Sequence, residues 1–164
     1  MTQSNAKDRT LSEGLITALA FGGFFVTLGV VFGLTPGIGN AFSNFFSDLT
    51  GVTYPAFNGA LVLPAPAHPA NHPVVYTAVF NFMLSIGILQ IVILAARLWV
   101  HSSIRRIAET VGNAIFWLGG ALVAYVYLMA GTVSGWFTFW PSLIVLAGVS
   151  LITQGIIRFV KWRR

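Results

Sequence analysis

Long apolar segments alternate with short charged segments along this chain. Asp, Glu, Lys and Arg are absent from residues 14–47, 49–96 and 110–157. A soluble domain carries charged side chains over its whole surface, whereas uncharged runs of this length are solvated by lipid. The pattern therefore predicts an integral membrane protein.

Four segments are long and apolar enough to cross a hydrocarbon core of about 30 Å, which takes roughly 20 helical residues. They cover approximately residues 14–35, 74–100, 107–131 and 136–160. The first apolar run exceeds that of a secretory signal peptide, so we interpret it as a retained anchor. These lengths predict an all-α, four-helix transmembrane bundle that forms a single domain over residues 1–164, with a long first outer loop at residues 36–73.

All nine basic residues fall on one side of a four-span arrangement. They are Lys7, Arg9, Arg97, Arg105, Arg106, Arg158, Lys161, Arg163 and Arg164. Because basic residues are retained on the cytoplasmic side, this distribution predicts cytoplasmic N and C termini, and we expect the plasma (cell) membrane. The seven basic residues from Arg97 onward are expected to set the topology and to contact lipid headgroups. Glu109 is expected to pair with Arg105 or Arg106 on the third span.

The outer loop begins with an amphipathic segment at residues 37–51. Its large apolar side chains recur at helical intervals of three and four: Ile38, Phe42, Phe45, Phe46 and Leu49. This spacing predicts a helix that lies flat in the outer headgroup region and buries its Phe ridge. Two alternatives are a docking surface for a partner subunit and a re-entrant element that lines a pore.

The segment from Tyr54 through Pro73 contains five prolines. Proline lacks a backbone N–H, so this density predicts extended, polyproline-like backbone without regular helix or sheet pairing. Apolar residues among the prolines indicate that the segment packs on the outer helix ends or on a neighbouring chain.

His68 and His72 are candidate metal ligands because they stand four residues apart. Each precedes a proline, however, and no Met, Cys or carboxylate lies near them in sequence, so ordinary loop histidines are the simpler interpretation. The chain has no cysteine, which excludes disulfides and thiolate sites. No motif of a catalytic or cofactor-binding site occurs. We therefore predict no enzyme activity and no cofactor.

Uncharged polar residues recur at a similar depth in the four spans. They are Thr17, Gln90, Asn113 and Gln154. We predict that they form a hydrogen-bonded layer between the helices, and the alternative is the inner constriction of a small polar pore. Small residues at Gly14, Ala18 and Gly22 permit close helix packing, either within the chain or between chains.

The function predicted from these patterns is that of a non-catalytic accessory or assembly subunit of a larger membrane complex. The alternatives are a small oligomeric channel or facilitator for neutral solutes or ions, and an outer-face metal-binding membrane protein. The expected partners are membrane lipids and either other membrane subunits or copies of this chain. Nucleic acid is not expected, because the basic residues flank apolar spans and form no solvated stripe.

Overall fold

A computed structural model describes residues 3–54 and 61–162, and the side chains within residues 11–54 and 61–160. The elements in chain order are α1 (Gln3–Leu28) with a π-helical turn (Gly29–Gly33), α2 (Ile38–Ser47), β1 (Leu49–Thr53), β2 (Val62–Pro66), a 3-10 turn (Pro69–Asn71), α3 (Pro73–Trp99), α4 (Ile104–Val123) with a second π-helical turn (Ala124–Leu128), and α5 (Val133–Trp162). Lys161 belongs to α5, whereas Arg163 and Arg164 lie outside the described residues.

Four of these helices are long and apolar enough to cross a membrane. Their apolar stretches run over Leu11–Gly33, Pro73–Trp99, Ile104–Leu128 and Val133–Val160. Each predicted span coincides with one of these helices, with boundaries that differ by at most three residues, and the chain is consistent with an all-α integral membrane bundle.

The spanning helices form an open row in the order α1, α3, α4, α5. The contacts between α3 and α4 and between α4 and α5 are the most extensive, α1 packs on α3, and no comparable contact joins α1 to α5 in the described part of the chain. Burial follows this order, since 28% and 33% of the apolar stretches of α3 and α4 are buried, against 11% in α1 and 6% in α5. The central helices therefore form the packed centre, and α1 and α5 are its edges.

Glycines set the close approach of neighbouring helices. A side-chain carbon at Gly87 of α3 would overlap the Leu118 side chain of α4, and one at Gly119 of α4 would lie 2.7 Å from the nearest Leu146 atom of α5. Gly23 of α1 faces Leu89 of α3 in the same way, at 2.7 Å. A leucine therefore fills the space over a glycine at each contact, which is the packing expected of small residues between membrane helices.

Along the helix axes, the buried core lies toward one end of the bundle, beneath α2. We call this the loop end, because α2, β1 and β2 lie there, and we call the opposite end, at the α3–α4 connection, the terminal end. The core residues are Phe45, Val75, Tyr76, Met83, Ala121, Ala124, Leu128 and Phe139. Four elements contribute to this cluster, so α2 is part of the folded core.

Strands β1 (Leu49–Thr53) and β2 (Val62–Pro66) pair antiparallel, and the prediction that the proline-rich segment forms no sheet is wrong. Pro64 pairs with Gly51, and Pro66 pairs with Leu49. The hydrogen bonds around these pairs, Tyr54 N–H to Leu61 O and Ala67 N–H to Asp48 O, place both prolines at non-hydrogen-bonded positions. Two prolines spaced by two residues therefore leave the ladder intact, because their missing N–H groups face the free edge.

Candidate functional site

The amphipathic helix α2 (Ile38–Ser47) is shorter than predicted because Leu49 begins β1. Its Phe ridge divides between two environments. Phe45 is buried in the protein core, where its ring centroid lies 5.2 Å from that of His72 and 5.7 Å from that of Trp136. Phe42 and Ile38 are half-buried, and Phe46 is 64% exposed. The ridge thus fixes α2 to the bundle, because Phe45 finds aromatic partners there.

Asp48, directly after α2, holds both histidines of the loop. Its carboxylate accepts a hydrogen bond from His72 Nε2 at 2.8 Å and from His68 Nδ1 at 2.9 Å. The backbone N–H of His68 donates to the same carboxylate at 2.8 Å. We call these three residues the Asp48 clasp. It joins the end of α2 to the start of α3, residues separated by 20 and 24 positions in sequence.

The clasp stabilises the charged form of the Asp48 carboxyl. Hydrogen bonds from the rings of His72 and His68, and then from the His68 backbone N–H, hold the pKa of Asp48 well below its usual range. An ionised carboxylate only accepts hydrogen bonds, so each ring nitrogen that faces it must carry a proton. His72 is buried, whereas the His68 ring is largely exposed. The buried imidazole is therefore fixed in position and in protonation at Nε2.

The clasp does not have the geometry of a metal site. Within the described residues, no three His, Cys, Asp or Glu side chains are placed to hold a metal ion. The carboxylate lies between the two imidazoles and accepts from one with each oxygen. The two rings therefore bind the carboxylate and are not arranged around a common point.

A cavity of about 260 Å³ lies beside the clasp, between α2 and the start of α3. It is lined by Gly37, Asn40, Ala41, Asn44, Asn71, His72 and Val74. The left-handed backbone of Gly37 (φ 73°) starts α2, and Asn40 and Asn44 follow on one face of that helix. Three exposed carboxamides and one buried imidazole thus line an open, uncharged space together with apolar groups.

Ion pairs connect the helices at the terminal end. Arg106 of α4 pairs with Glu13 of α1, and Arg158 of α5 donates to Glu109 of α4 at 3.0 Å. The predicted pair between Arg105 and Glu109 is also present, at 3.0 Å. Exposed pairs of this kind contribute about 0–1 kcal/mol each, so their main effect is to fix which helices are neighbours.

Arg97, near the end of α3, binds uncharged groups of α4. Its guanidinium donates to the Thr110 hydroxyl at 2.6 Å and to the backbone carbonyl of Arg106. The side chain thus reaches across to the neighbouring helix, and sequence reasoning had assigned it only to lipid headgroups. The side chains of Lys161, Arg163 and Arg164 lie outside the part of the chain described at side-chain level.

The four residues of the predicted polar layer have separate environments. Gln154 donates to Ser150 at 3.3 Å, and Ser150 donates to the Gly112 carbonyl of α4 at 2.8 Å. Thr17 donates to the carbonyl of Glu13 in its own helix. Gln90 and Asn113 make no side-chain hydrogen bond to another described residue. At the level of Gln154, α4 and α5 are thus hydrogen-bonded through Ser150. The sequence pattern does not indicate this residue.

The Asp48 clasp and the cavity are the parts of the site that sequence reasoning missed. The available signal was that Asp48 is the only Asp, Glu, Lys or Arg between residues 14 and 96. In comparisons with known proteins, the sequence matches no family model, no curated protein and no solved structure. The functional proposal below therefore rests on the geometry of this chain.

Proposed function

We propose that this chain is a non-catalytic accessory or assembly subunit of a larger membrane-protein complex. The observation that carries the proposal is a face of α1 made of small residues that has no partner within the described chain. Side-chain carbons built at Gly14, Gly22 and Gly29 meet no atom within 4 Å. We call Gly14, Ala18, Gly22 and Gly29 the small face of α1.

The small face lies on the side of α1 that points away from α3. At about 100° per residue, its four members fall within a sector of roughly 80°. Ile16, which is buried, and Gly23, which faces Leu89, lie roughly opposite that sector. Helix α1 therefore packs on α3 with one side and presents a second packing surface with the other.

The side chains around the small face favour another helix as its occupant. Leu15 and Phe21 flank it and are 72% and 66% exposed, and Phe25, which is 64% exposed, lies within the sector between Gly22 and Gly29. A groove of small residues between large apolar ones lets a second helix backbone approach closely. Elsewhere in this chain, Gly23, Gly87 and Gly119 each receive a leucine from a neighbouring helix. The small face of α1 has the same arrangement but no neighbouring helix in the described chain, and α1 lies at the edge of the open row. This supports assembly with other subunits through α1.

Native mass spectrometry of the protein purified from its own membrane in mild detergent tests the proposal. We expect other polypeptides at a fixed ratio to this chain. Gly22→Leu should reduce their recovery about tenfold or more, because the added side chain fills the groove. A homo-oligomer without other polypeptides would contradict the proposal and favour a channel built from copies of this chain.

Two further variants distinguish loss of assembly from loss of folding. Gly22→Ala adds one methyl group at the same position, and its effect should be several-fold smaller than that of the leucine. Val145→Leu adds bulk to an exposed position of α5 and should leave the complex intact. Equal loss in Val145→Leu and Gly22→Leu would exclude a specific role of the small face.

We also propose that the loop end faces outward and that both termini are cytoplasmic, in the plasma membrane. The support is that all nine Lys and Arg residues lie at the terminal end or in the tails. Because the chain has no cysteine, single cysteines report orientation directly. An impermeant maleimide added to intact cells should label Thr50→Cys and leave Ser103→Cys unlabelled until the membrane is opened. Labelling of Ser103→Cys but not of Thr50→Cys in intact cells would show the opposite topology.

A further inference from the structure

The cavity between α2 and α3 offers hydrogen-bonding groups that the fold itself does not use. The carboxamides of Asn40, Asn44 and Asn71 line it, and none makes a hydrogen bond to another residue within the described parts of the chain. Each carboxamide supplies both a donor and an acceptor. His72 lines the same space, and the Asp48 carboxylate fixes its ring. Because Nε2 binds Asp48, Nδ1 is the one ring nitrogen of His72 left for another contact.

The charge around the cavity selects against ionic ligands. Between residues 14 and 96 the sequence has no Lys or Arg, and Asp48 is the one acidic residue. A phosphate or carboxylate would therefore find no cationic side chain at this end of the chain and would lie near an ionised carboxylate. A cationic ligand would find that carboxylate already bound to two imidazoles and one backbone N–H. Neutral groups that both donate and accept hydrogen bonds are the best match.

The ends of the apolar stretches indicate that the cavity lies near the expected depth of lipid headgroups. The apolar stretch of α1 ends at Gly33 and that of α3 begins at Pro73, and the lining residues lie next to these two ends. A volume of about 260 Å³ is slightly below the roughly 300–1,000 Å³ of typical small-molecule pockets. The space therefore suits one ring-sized group.

We infer that this cavity binds a neutral, hydroxyl-rich group of the size of one sugar ring. Hydroxyls both donate and accept, as carboxamides do, so adjacent hydroxyls pair well with the Asn side chains on α2. The same chemistry occurs in the headgroup of a glycosyl diacylglycerol and in a free sugar. This inference concerns the loop end and does not depend on the assembly through α1.

Native mass spectrometry in nanodiscs that contain equal amounts of monoglycosyl diacylglycerol, phosphatidylglycerol and phosphatidylethanolamine tests the inference. We expect the glycolipid to be retained preferentially by the wild-type protein. Asn44→Leu should weaken its retention about tenfold, because it removes a donor and an acceptor and leaves the ligand hydroxyls unpaired. Ser43→Leu makes a similar polar-to-apolar change on α2 outside the cavity, and it should retain the glycolipid as the wild type does.

A competition with free methyl glycosides separates the two sources of the ligand. If the free glycoside displaces the glycolipid, a soluble sugar is sufficient for binding. If the glycolipid stays bound, the ligand is the lipid-anchored headgroup. Equal retention of the three lipids, or preference for phosphatidylglycerol, would overturn the inference. If Asn44→Leu fails to fold, Asn71→Ala tests the same cavity from the 3-10 turn. Unchanged glycolipid retention in a folded cavity variant would also overturn it.

Discussion

Replacing Gly87 by alanine should destabilise the protein by about 1–3 kcal/mol, which is the usual cost of adding volume to a packed interface. The new carbon would overlap the Leu118 side chain of α4 and lie 3.2 Å from the Leu118 backbone nitrogen. A side chain can rotate away, but the backbone of α4 cannot move without widening the contact between the two central helices. We expect a clear fall in the apparent melting temperature, measured in one detergent at one scan rate.

Two other glycines provide controls for this prediction. At Gly112 the three nearest atoms that the added carbon would meet all belong to the Gln154 side chain, from Cγ to Nε2, and none to the backbone, so Gly112→Ala should cost less than Gly87→Ala. Gly148→Ala adds its methyl group where no described atom lies within 4 Å. It should be neutral or slightly stabilising, because alanine favours the helix by roughly 0.5–1 kcal/mol over glycine. Equal destabilisation by all three variants would show that the α3–α4 crossing has no special role.

The spanning helices were predictable from sequence because hydropathy is a local property. Runs of about 20 predominantly apolar residues predict a membrane-spanning helix without reference to the rest of the chain, and the observed boundaries differ from the predicted ones by a few residues. The row order α1, α3, α4, α5 was not predictable in this way. It depends on which side chain meets which glycine, such as Leu118 at Gly87, and no pattern within one helix specifies its neighbour.

The structure of the outer loop could not be predicted from local sequence patterns. Proline density correctly indicates a constraint on the backbone, but the decisive fact is the alternation of Pro64 and Pro66 with hydrogen-bonded residues. That alternation has meaning only once β1 is known to be the partner strand. The Asp48 clasp is similar, because its members are 20 and 24 residues apart and no sequence spacing links them.

Asp48→Asn should weaken the contact between the end of α2 and the start of α3. The carboxamide keeps the size of the carboxylate, but it has one acceptor oxygen and a donor where the second oxygen was. Its oxygen accepts weaker hydrogen bonds than a carboxylate does, and its NH₂ group opposes a ring N–H unless that imidazole changes tautomer. We expect the protection of the hydrogen-bonded amides of β2 against hydrogen exchange to fall on the order of tenfold, with the α3–α4 contact unchanged.

Acid should reproduce this effect in the wild-type protein. Folding lowers the pKa of Asp48, so its stabilising contribution is complete above the ordinary pKa of 3.8 and is lost as the pH falls below that value. β2 protection, corrected for intrinsic exchange rates, should therefore decrease below about pH 4 in the wild type and change little in Asp48→Asn. Ser47→Ala removes a neighbouring hydroxyl that bonds within α2, and it should behave as the wild type. If Asp48→Asn retained full protection of β2, the hairpin and the hydrophobic docking of Phe45 would hold the loop without the clasp.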